Sequence, residues 1–546
     1  MSRLRKFPLI KHFEFDDTVS YLYDARANIL LKLKAEERDN SLTYLYEISR
    51  NERFNNGSAT KSINHLFINS LQSNNVLLPG PLKQKIDTSE ENIEQTILFG
   101  EKYVITKKLT LEITNQCNLR CKYCSYTINE KNGHGKMHGN KVMDFEIAKK
   151  AVDFYFERYT SVIRKIEVNN IPTFLKRNPP VIAFYGGEVL LQFNLLRKIV
   201  DYVKQLPWHS FHIKESDITF SISTNGTTLN QTIISFCTNN NILLFVSLDG
   251  PAEENDKNRV YKNGIGTAKK INANLNLIKE ISKDYYINYV NILAVMAPNY
   301  DRSKVNTYFS SLSEGNHFAG VNVFNYLEFK DSCLVLPARK FPGKLFSISS
   351  FLKKNYCFDD IYLRIELNPL IHLHLKDLYE ILIKINRPPP NGLFNGFNSC
   401  YIGYAGLFVD VNGKLHMCER TDFSSSIGDV DNGLRKNSLI EYYTKYFNQI
   451  NSARCRNCWV HVFCKYCIGA MIKERNVELP SIRDCLLYKR VFEAKFKDLF
   501  LIFRKYPKVI DYMKVKFGNN TDISIIDFID FMDENELKKQ LLDDQL

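Results

Sequence analysis

LTLEITNQCNLRCKYC, residues 109–124, runs a short β-rich segment, Leu109 to Thr114, straight into three cysteines spaced CxxxCxxC: Cys117, Cys121 and Cys124. Three thiolates within eight residues of one loop can hold three irons of a cubane and leave the fourth iron without a protein ligand. Such an iron is a place for chemistry. The competing reading is a structural zinc site, which normally takes four protein ligands and could draw its fourth from His134 or His138 in the loop that follows.

Working outward, β-rich runs alternate with helical periods in the pattern of strand-helix units around a parallel sheet. The strands expected are Leu109 to Thr114, Val181 to Tyr185, Ile218 to Ser223, Leu243 to Leu248, Ile287 to Met296 and Val321 to Leu327. Between the first two, Asp144 can cap a helix to Tyr159 whose apolar face is Ile147, Ala151, Val152 and Tyr155, and Leu195, Leu196, Ile199, Val200 and Val203 repeat the pattern in the next unit. The fold class is therefore α/β, six units closing partway into a barrel with functional loops at the carboxyl ends of the strands. The division expected is a small α+β domain at 1–100 that folds without the barrel, the partial barrel at 101–330, and a helical insert at 331–398. A cysteine-rich domain at 399–492 and a helical acidic tail at 493–546 complete it.

With the aromatic Tyr123 before its last cysteine, the CxxxCxxC loop resembles the radical S-adenosylmethionine (SAM) superfamily. Tyr185-Gly186-Gly187-Glu188 resembles that superfamily's GGE motif, which implies hydrogen bonding to the SAM amino group; the usual proline after the glutamate is Val189 here. SISTNGT (221–227), with Ser223 and Asn225, and SLDGP (247–251), with Ser247 and Asp249, are similar to strand ends that line the SAM pocket in the family. Arg259 matches a position that in relatives meets the SAM carboxylate.

Near the C-terminus, Cys400, Gly413 and Cys418 fit C-x12-G-x4-C, and Cys455, Cys458, Cys464 and Cys467 fit C-x2-C-x5-C-x2-C, followed by Cys485. This resembles the seven-cysteine SPASM domain, which implies two auxiliary 4Fe-4S clusters, so three such clusters and SAM are the cofactors expected. By motif order Cys455, Cys458, Cys464 and Cys485 hold one auxiliary cluster, while Cys400, Cys418 and Cys467 hold the other, one ligand short. The spacing before Cys467 is one residue shorter than usual, and two structural zinc knuckles are the alternative. Cys237, Cys333 and Cys357 remain as ordinary or buried thiols. His372 and His374, in LIHLHL, read as a half-buried or solvent-facing pair without partners rather than as a metal-binding strand.

The resemblance implies a radical SAM enzyme that cleaves SAM reductively and modifies a ribosomally synthesised precursor peptide, forming a thioether or carbon-carbon crosslink. It also implies a flavodoxin or ferredoxin as electron donor. The N-terminal hundred residues suggest a winged-helix-like recognition element that takes the peptide's leader as an added strand. Modification of a protein in the manner of anaerobic sulfatase maturases, RNA modification, and a non-catalytic iron-sulfur or zinc scaffold stay open as alternatives.

The composition sets bounds on these readings. The 546 residues are 44% hydrophobic and 24% charged, a globular balance that excludes wholesale disorder. The net charge of +13 is scattered rather than striped, which argues against a nucleic-acid footprint, and the 30 Tyr and 37 Phe follow no basic-aromatic interleave. No apolar run approaches the ~18 residues of a membrane span, so a cytoplasmic location is expected. There, 13 cysteines point to metal ligation before disulfides.

Overall fold

The computed structural model describes residues 10–14, 19–25, 29–34, 87–127, 137–296, 300–312, 321–325, 348, 352, 365, 369–385, 400–419, 421, 426–464, 468–473 and 476–517. The helical patches expected near 43–51 and 61–72, the acidic tail beyond 517, His134, Cys333, Cys357 and Cys467 lie outside them.

The six expected strands are present: β4 (Lys108–Thr114), β5 (Val181–Gly186), β6 (Thr219–Thr224), β7 (Leu243–Ser247), β8 (Val290–Met296) and β9 (Val321–Asn325). They pair in parallel and in sequential order from β4 to β9. The fifth begins three residues later than expected, because Lys283–Tyr289 is a helix capped by the Ser282 hydroxyl. Burial alternates along β6, β7 and β8, so one face of the sheet is closed and the other half-open. The closed face carries Ile222, Leu244, Val246, Ile292 and Ala294, in one core with the helices α2 (Phe145–Ile163), α3 (Phe193–Gln205), α4 (Gln231–Asn239) and α5 (Ala268–Ile281). Each such side chain contributes roughly 1.5–3 kcal/mol on burial. Asp144 caps α2 by accepting from the Glu146 amide, as the sequence suggests.

Two features depart from the expected division. First, the sheet does not end at β4. The strand β10 (Gly406–Val409) pairs with it in parallel, and β11 (Lys414–His416) returns antiparallel, so the C-terminal region extends the barrel sheet. Second, the N-terminal strands β1 (Ile10–Glu14), β2 (Val19–Asp24) and β3 (Ile29–Lys34) form an antiparallel meander whose buried tyrosines pack on the C-terminal region. Tyr21 stacks on Phe500 at 4.0 Å, and Tyr23 packs against Phe463 and Phe496 at 5.5 Å. These partners flank or belong to α9 (Ile482–Lys505), which itself runs unbroken across the boundary expected at 492/493. The helix α1 (Glu90–Tyr103) likewise crosses 100/101 and packs on α8 (Lys436–Ile450), with Lys436 2.7 Å from Glu94. The buried side chains of these strands, Tyr21, Tyr23 and Leu30, share one core with the C-terminal helices.

His372 and His374 lie on the helix α7 (Pro369–Leu382), not on a strand, and both are partnered: His372 Nδ1 with the Tyr512 hydroxyl at 2.8 Å, His374 Nε2 with Asp498 at 2.9 Å. Cys237 is fully buried in the barrel core. No described helix is long and apolar enough to cross a membrane.

Candidate active site

The cysteine loop leaves the carboxyl end of β4 through a register shift between Glu112 and Thr114. The Thr114 hydroxyl donates to Lys141 O at 2.7 Å and accepts from the Gln116 amide at 3.1 Å, turning the chain into the loop. Farther along, the Arg120 and Lys122 amides donate to Val260 O and Asn258 O at 2.8 and 3.0 Å, so the loop lies against the segment that carries Arg259. Gly186 and Gly187 press on the loop's start from β5. The Gly187 amide reaches Thr114 O at 2.8 Å and the Glu188 amide reaches Gln116 O at 2.7 Å. A Cβ at Gly187 would stand 2.1 Å from Gln116 O, and Gly186, at φ +148°, would place one 2.2 Å from Thr114 O. Only glycines permit that approach.

The three thiols meet a buried environment. Burial pushes Cys117 and Cys121 up to about 12, with hydrogen bonding to Leu119 and the nearby Arg259 respectively opposing it, and raises Cys124 as well. Thiols so placed ionise only beside a strong cation. Among the described residues no group of three His, Cys, Asp or Glu side chains is arranged for a single metal ion. Three thiolates from one loop are a donor set that suits three irons of a four-iron cluster.

Around the loop, the remaining expected residues are gathered at the ends of β5, β6 and β7. Asn225 donates to Asn118 Oδ1 at 2.8 Å and lies 4.0 Å from Cys117 Sγ. Ser223 and Ser247 sit on the half-open face. Asp249, fully buried, accepts from the Tyr123 hydroxyl at 2.5 Å, the Tyr300 hydroxyl at 3.0 Å and the Val295 amide at 2.9 Å. Its Oδ1 lies 3.0 Å from Arg259 Nε. Burial works against the Arg259 charge, yet Asp249 outweighs it and holds the guanidinium above its ordinary range. Arg259 also lies over the Tyr123 ring at 5.3 Å.

Glu188, the acid of the YGGE stretch, has its carboxylate engaged within the fold. It is fully buried, and its oxygens accept from the Thr224 hydroxyl at 2.6 Å and the Asn225 and Leu190 amides at 2.7 and 3.1 Å. Burial raises its pKa against those bonds. It braces β6 against the turn after β5.

Residues 111–307 match the family model described as the Radical SAM superfamily. The segment from β4 to β8 is thus similar to radical SAM domains. It is 26% identical over 409 residues to the cysteine-type anaerobic sulfatase-maturating enzyme of Clostridium novyi, covering 71% of this chain and 94% of that one. It is 23% identical to the radical SAM cyclopropyl synthase TigE of Paramaledivibacter caminithermalis, over 74% of this chain and 77% of that one. An uncharacterized protein of Methanocaldococcus jannaschii is 37% identical over 158 residues, 29% of this chain and 43% of that protein. A solved structure of anSMEcpe with bound AdoMet superposes with a TM-score of 0.49 at 22% identity, covering 73% of this chain and 99% of that one.

Beyond the radical SAM domain, Cys455, Cys458, Cys464 and Cys485 line one cavity whose other walls include Tyr446, Ile450, Val460, Met471 and Leu479. Burial raises Cys455 and Cys485, although Arg454 stands beside both. Cys418 lies elsewhere. Phe408 pairs with His416 and Gly406 with Lys108, so Cys418 follows β11 toward the amino end of β4, where Lys108 is 3.7 Å from Glu419. Cys117 follows the opposite end, and the seven residues of β4 separate the two levels by ~20 Å. Cys400, exposed, precedes β10 on the same side as Cys418.

Sequence reasoning passed over Glu112, Thr224 and Tyr300, all close to the site. Glu112 had a signal: it is a lone carboxylate inside the strand LTLEIT, and it is fully buried.

Proposed function

We propose that the chain binds SAM and a four-iron cluster at Cys117, Cys121 and Cys124 and uses a 5′-deoxyadenosyl radical to modify a ribosomally made precursor peptide. The observation that carries this reading is that the cysteine loop, Gly186 to Glu188, Asn225 and the Asp249–Arg259 pair form one hydrogen-bonded mouth at the carboxyl ends of β4 to β7. When bound, the cluster supplies one electron to the sulfonium of SAM. Arg259 offers a charged guanidinium to the SAM carboxylate, with its position fixed from behind by Asp249. The buried mouth excludes water, which protects a carbon radical. The half-open sheet face, with Tyr185, Ser223, Phe245, Ser247 and Asn291, gives an extended peptide a mixed polar and apolar wall.

The cavity between Cys455, Cys458, Cys464 and Cys485 suits an auxiliary four-iron cluster, and Cys400, Cys418 and Cys467 are assigned to a second. The ~20 Å between the levels of Cys418 and Cys117 favours an electron-accepting role for that second cluster over direct binding of the reacting substrate thiolate. A thioether or carbon-carbon crosslink, a leader held by the N-terminal region, and a flavodoxin or ferredoxin donor complete the reading. The name of one relative, a sulfatase-maturating enzyme, supports a protein or peptide substrate. The test is anaerobic reconstitution followed by incubation with SAM, a reductant and peptides encoded by small reading frames beside the gene. 5′-Deoxyadenosine together with a peptide lighter by two hydrogens supports the proposal. A colourless, iron-free protein rejects it in favour of a zinc scaffold.

A further inference from the structure

Glu112 is fully buried near the carboxyl end of the strand β4. A carboxylate taken out of water costs several kcal/mol unless donors meet it, and the donors here come from two distant parts of the chain. The Tyr126 hydroxyl donates to Oε1, and the Val411 amide donates to Oε2 at 3.1 Å. Tyr126 is itself buried and stands two residues beyond Cys124. Cys124 directly precedes the helical residues Ser125 to Thr127, which include Tyr126; burial raises the Cys124 thiol, and the amides of Thr127 and Tyr126 act against that rise. On the other side, Val411 is the second residue of a tight turn closed by the Gly413 amide on Asp410 O at 2.9 Å. The Asp410 carboxylate stiffens that turn by accepting from the Asn412 and Lys414 amides at 2.8 and 3.0 Å and pairing with His416 at 3.0 Å.

We propose that Glu112 is a positioning residue through which the C-terminal hairpin turn, Asp410 to Gly413, sets the placement of Cys124. Its two oxygens join the turn to Tyr126. The Tyr126 ring has few ways to rearrange, so fixing its hydroxyl fixes the amides that act on the Cys124 thiol. Hydrogen bonds to a ligating sulfur tune a cluster's reduction potential. The seating of the C-terminal region is thereby coupled to the redox behaviour of a loop nearly 300 residues earlier in sequence. The proposal rests on the reading of Cys124 as a cluster ligand.

Val411→Pro tests it with little other disturbance, because the second position of such a turn accepts proline and the substitution removes only the amide that Glu112 receives. The full chain, reconstituted anaerobically, is followed by the EPR component that changes when SAM is added, by that component's midpoint potential, by iron content and by thermal unfolding. In Val411→Pro, iron content stays at the wild-type value and the protein still unfolds cooperatively, at the lower temperature that loss of one donor to a buried carboxylate requires, while the SAM-sensitive component and its potential shift and 5′-deoxyadenosine formation falls about 10-fold. Tyr126→Phe shifts the same component, and the double variant moves it no further than the larger single change. Unchanged spectrum and potential in both single variants, or additive shifts in the double, overturn the coupling. If Val411→Pro fails to fold, Tyr126→Phe against Glu112→Gln decides by the same additivity rule. A wild-type protein with no SAM-sensitive iron signal instead defeats the underlying reading of Cys124, and so is told apart.

Discussion

Asp249 and Arg259 meet at 3.0 Å with both side chains buried, the carboxylate fully and the guanidinium 8% exposed. Asp249 lies two residues beyond β7, Arg259 lies beside the cysteine loop, and the same carboxylate receives the hydroxyl of Tyr123 from within that loop. One acidic side chain therefore organises three parts of the mouth. Asp249→Ala strands a buried positive charge and three further donors, and should destabilise the protein by about 3–5 kcal/mol. Urea unfolding of wild type and variant measures this, and a loss under ~1 kcal/mol would contradict the packing described.

Cys117→Ala, Cys121→Ala and Cys124→Ala should each abolish SAM cleavage while retaining iron in the C-terminal region, because the two cysteine groups are held by separate loops. Iron and 5′-deoxyadenosine measured on one preparation check this. Cleavage retained in any one variant would remove the assignment of the open-iron cluster.

Gly187→Ala should fail to bind SAM. Its Cβ would stand 2.1 Å from Gln116 O, so either the turn after β5 or the start of the cysteine loop must move. Equilibrium binding of SAM to the reconstituted protein is the readout, and wild-type affinity would show that the turn yields at no cost to the site.

Tyr23→Ala should loosen the N-terminal strands and α9 together. Tyr23 is fully buried between Phe463 and Phe496, and truncating an aromatic there costs about 3–5 kcal/mol. Limited proteolysis should cut both regions faster. Cleavage confined to the first 95 residues would instead indicate the self-contained domain that the sequence suggests.

Acid should weaken the hairpin through Asp410. Burial pushes its pKa up, but the hydrogen bond from His416 and the amides of Lys414 and Asn412 outweigh it, and the folded value lies below the ordinary carboxylate range. A depressed folded value contributes stability above the unfolded pKa of ~3.9, and that stability is lost as pH falls from there through the folded value. Amide hydrogen exchange at Val411 to Lys414 should accelerate across that window in wild type. In Asp410→Asn it should be fast already at neutral pH and flat across the window, and parallel profiles for the two proteins would refute the assignment.

The order of the six parallel strands, the cap at Asp144 and the three-cysteine loop were legible in the sequence, because each is written locally in alternation, capping chemistry or spacing. The grouping of Cys455, Cys458, Cys464 and Cys485 was implied by family resemblance, and in the fold these four residues are among those that line one cavity. What escaped was decided by partners far away in the chain. Glu188 reads in YGGE as a SAM-pocket acid, and its role as a brace depends on Thr224 and Asn225 reaching it from the end of the next strand. The three N-terminal strands look like a small domain, yet their tyrosines find partners some 440 to 480 residues later. Local pattern records which face of an element is apolar and which residue types can hold iron. It carries no record of which distant donor or ring will close over a buried carboxylate or tyrosine, since burial and hydrogen-bond satisfaction belong to the assembled fold.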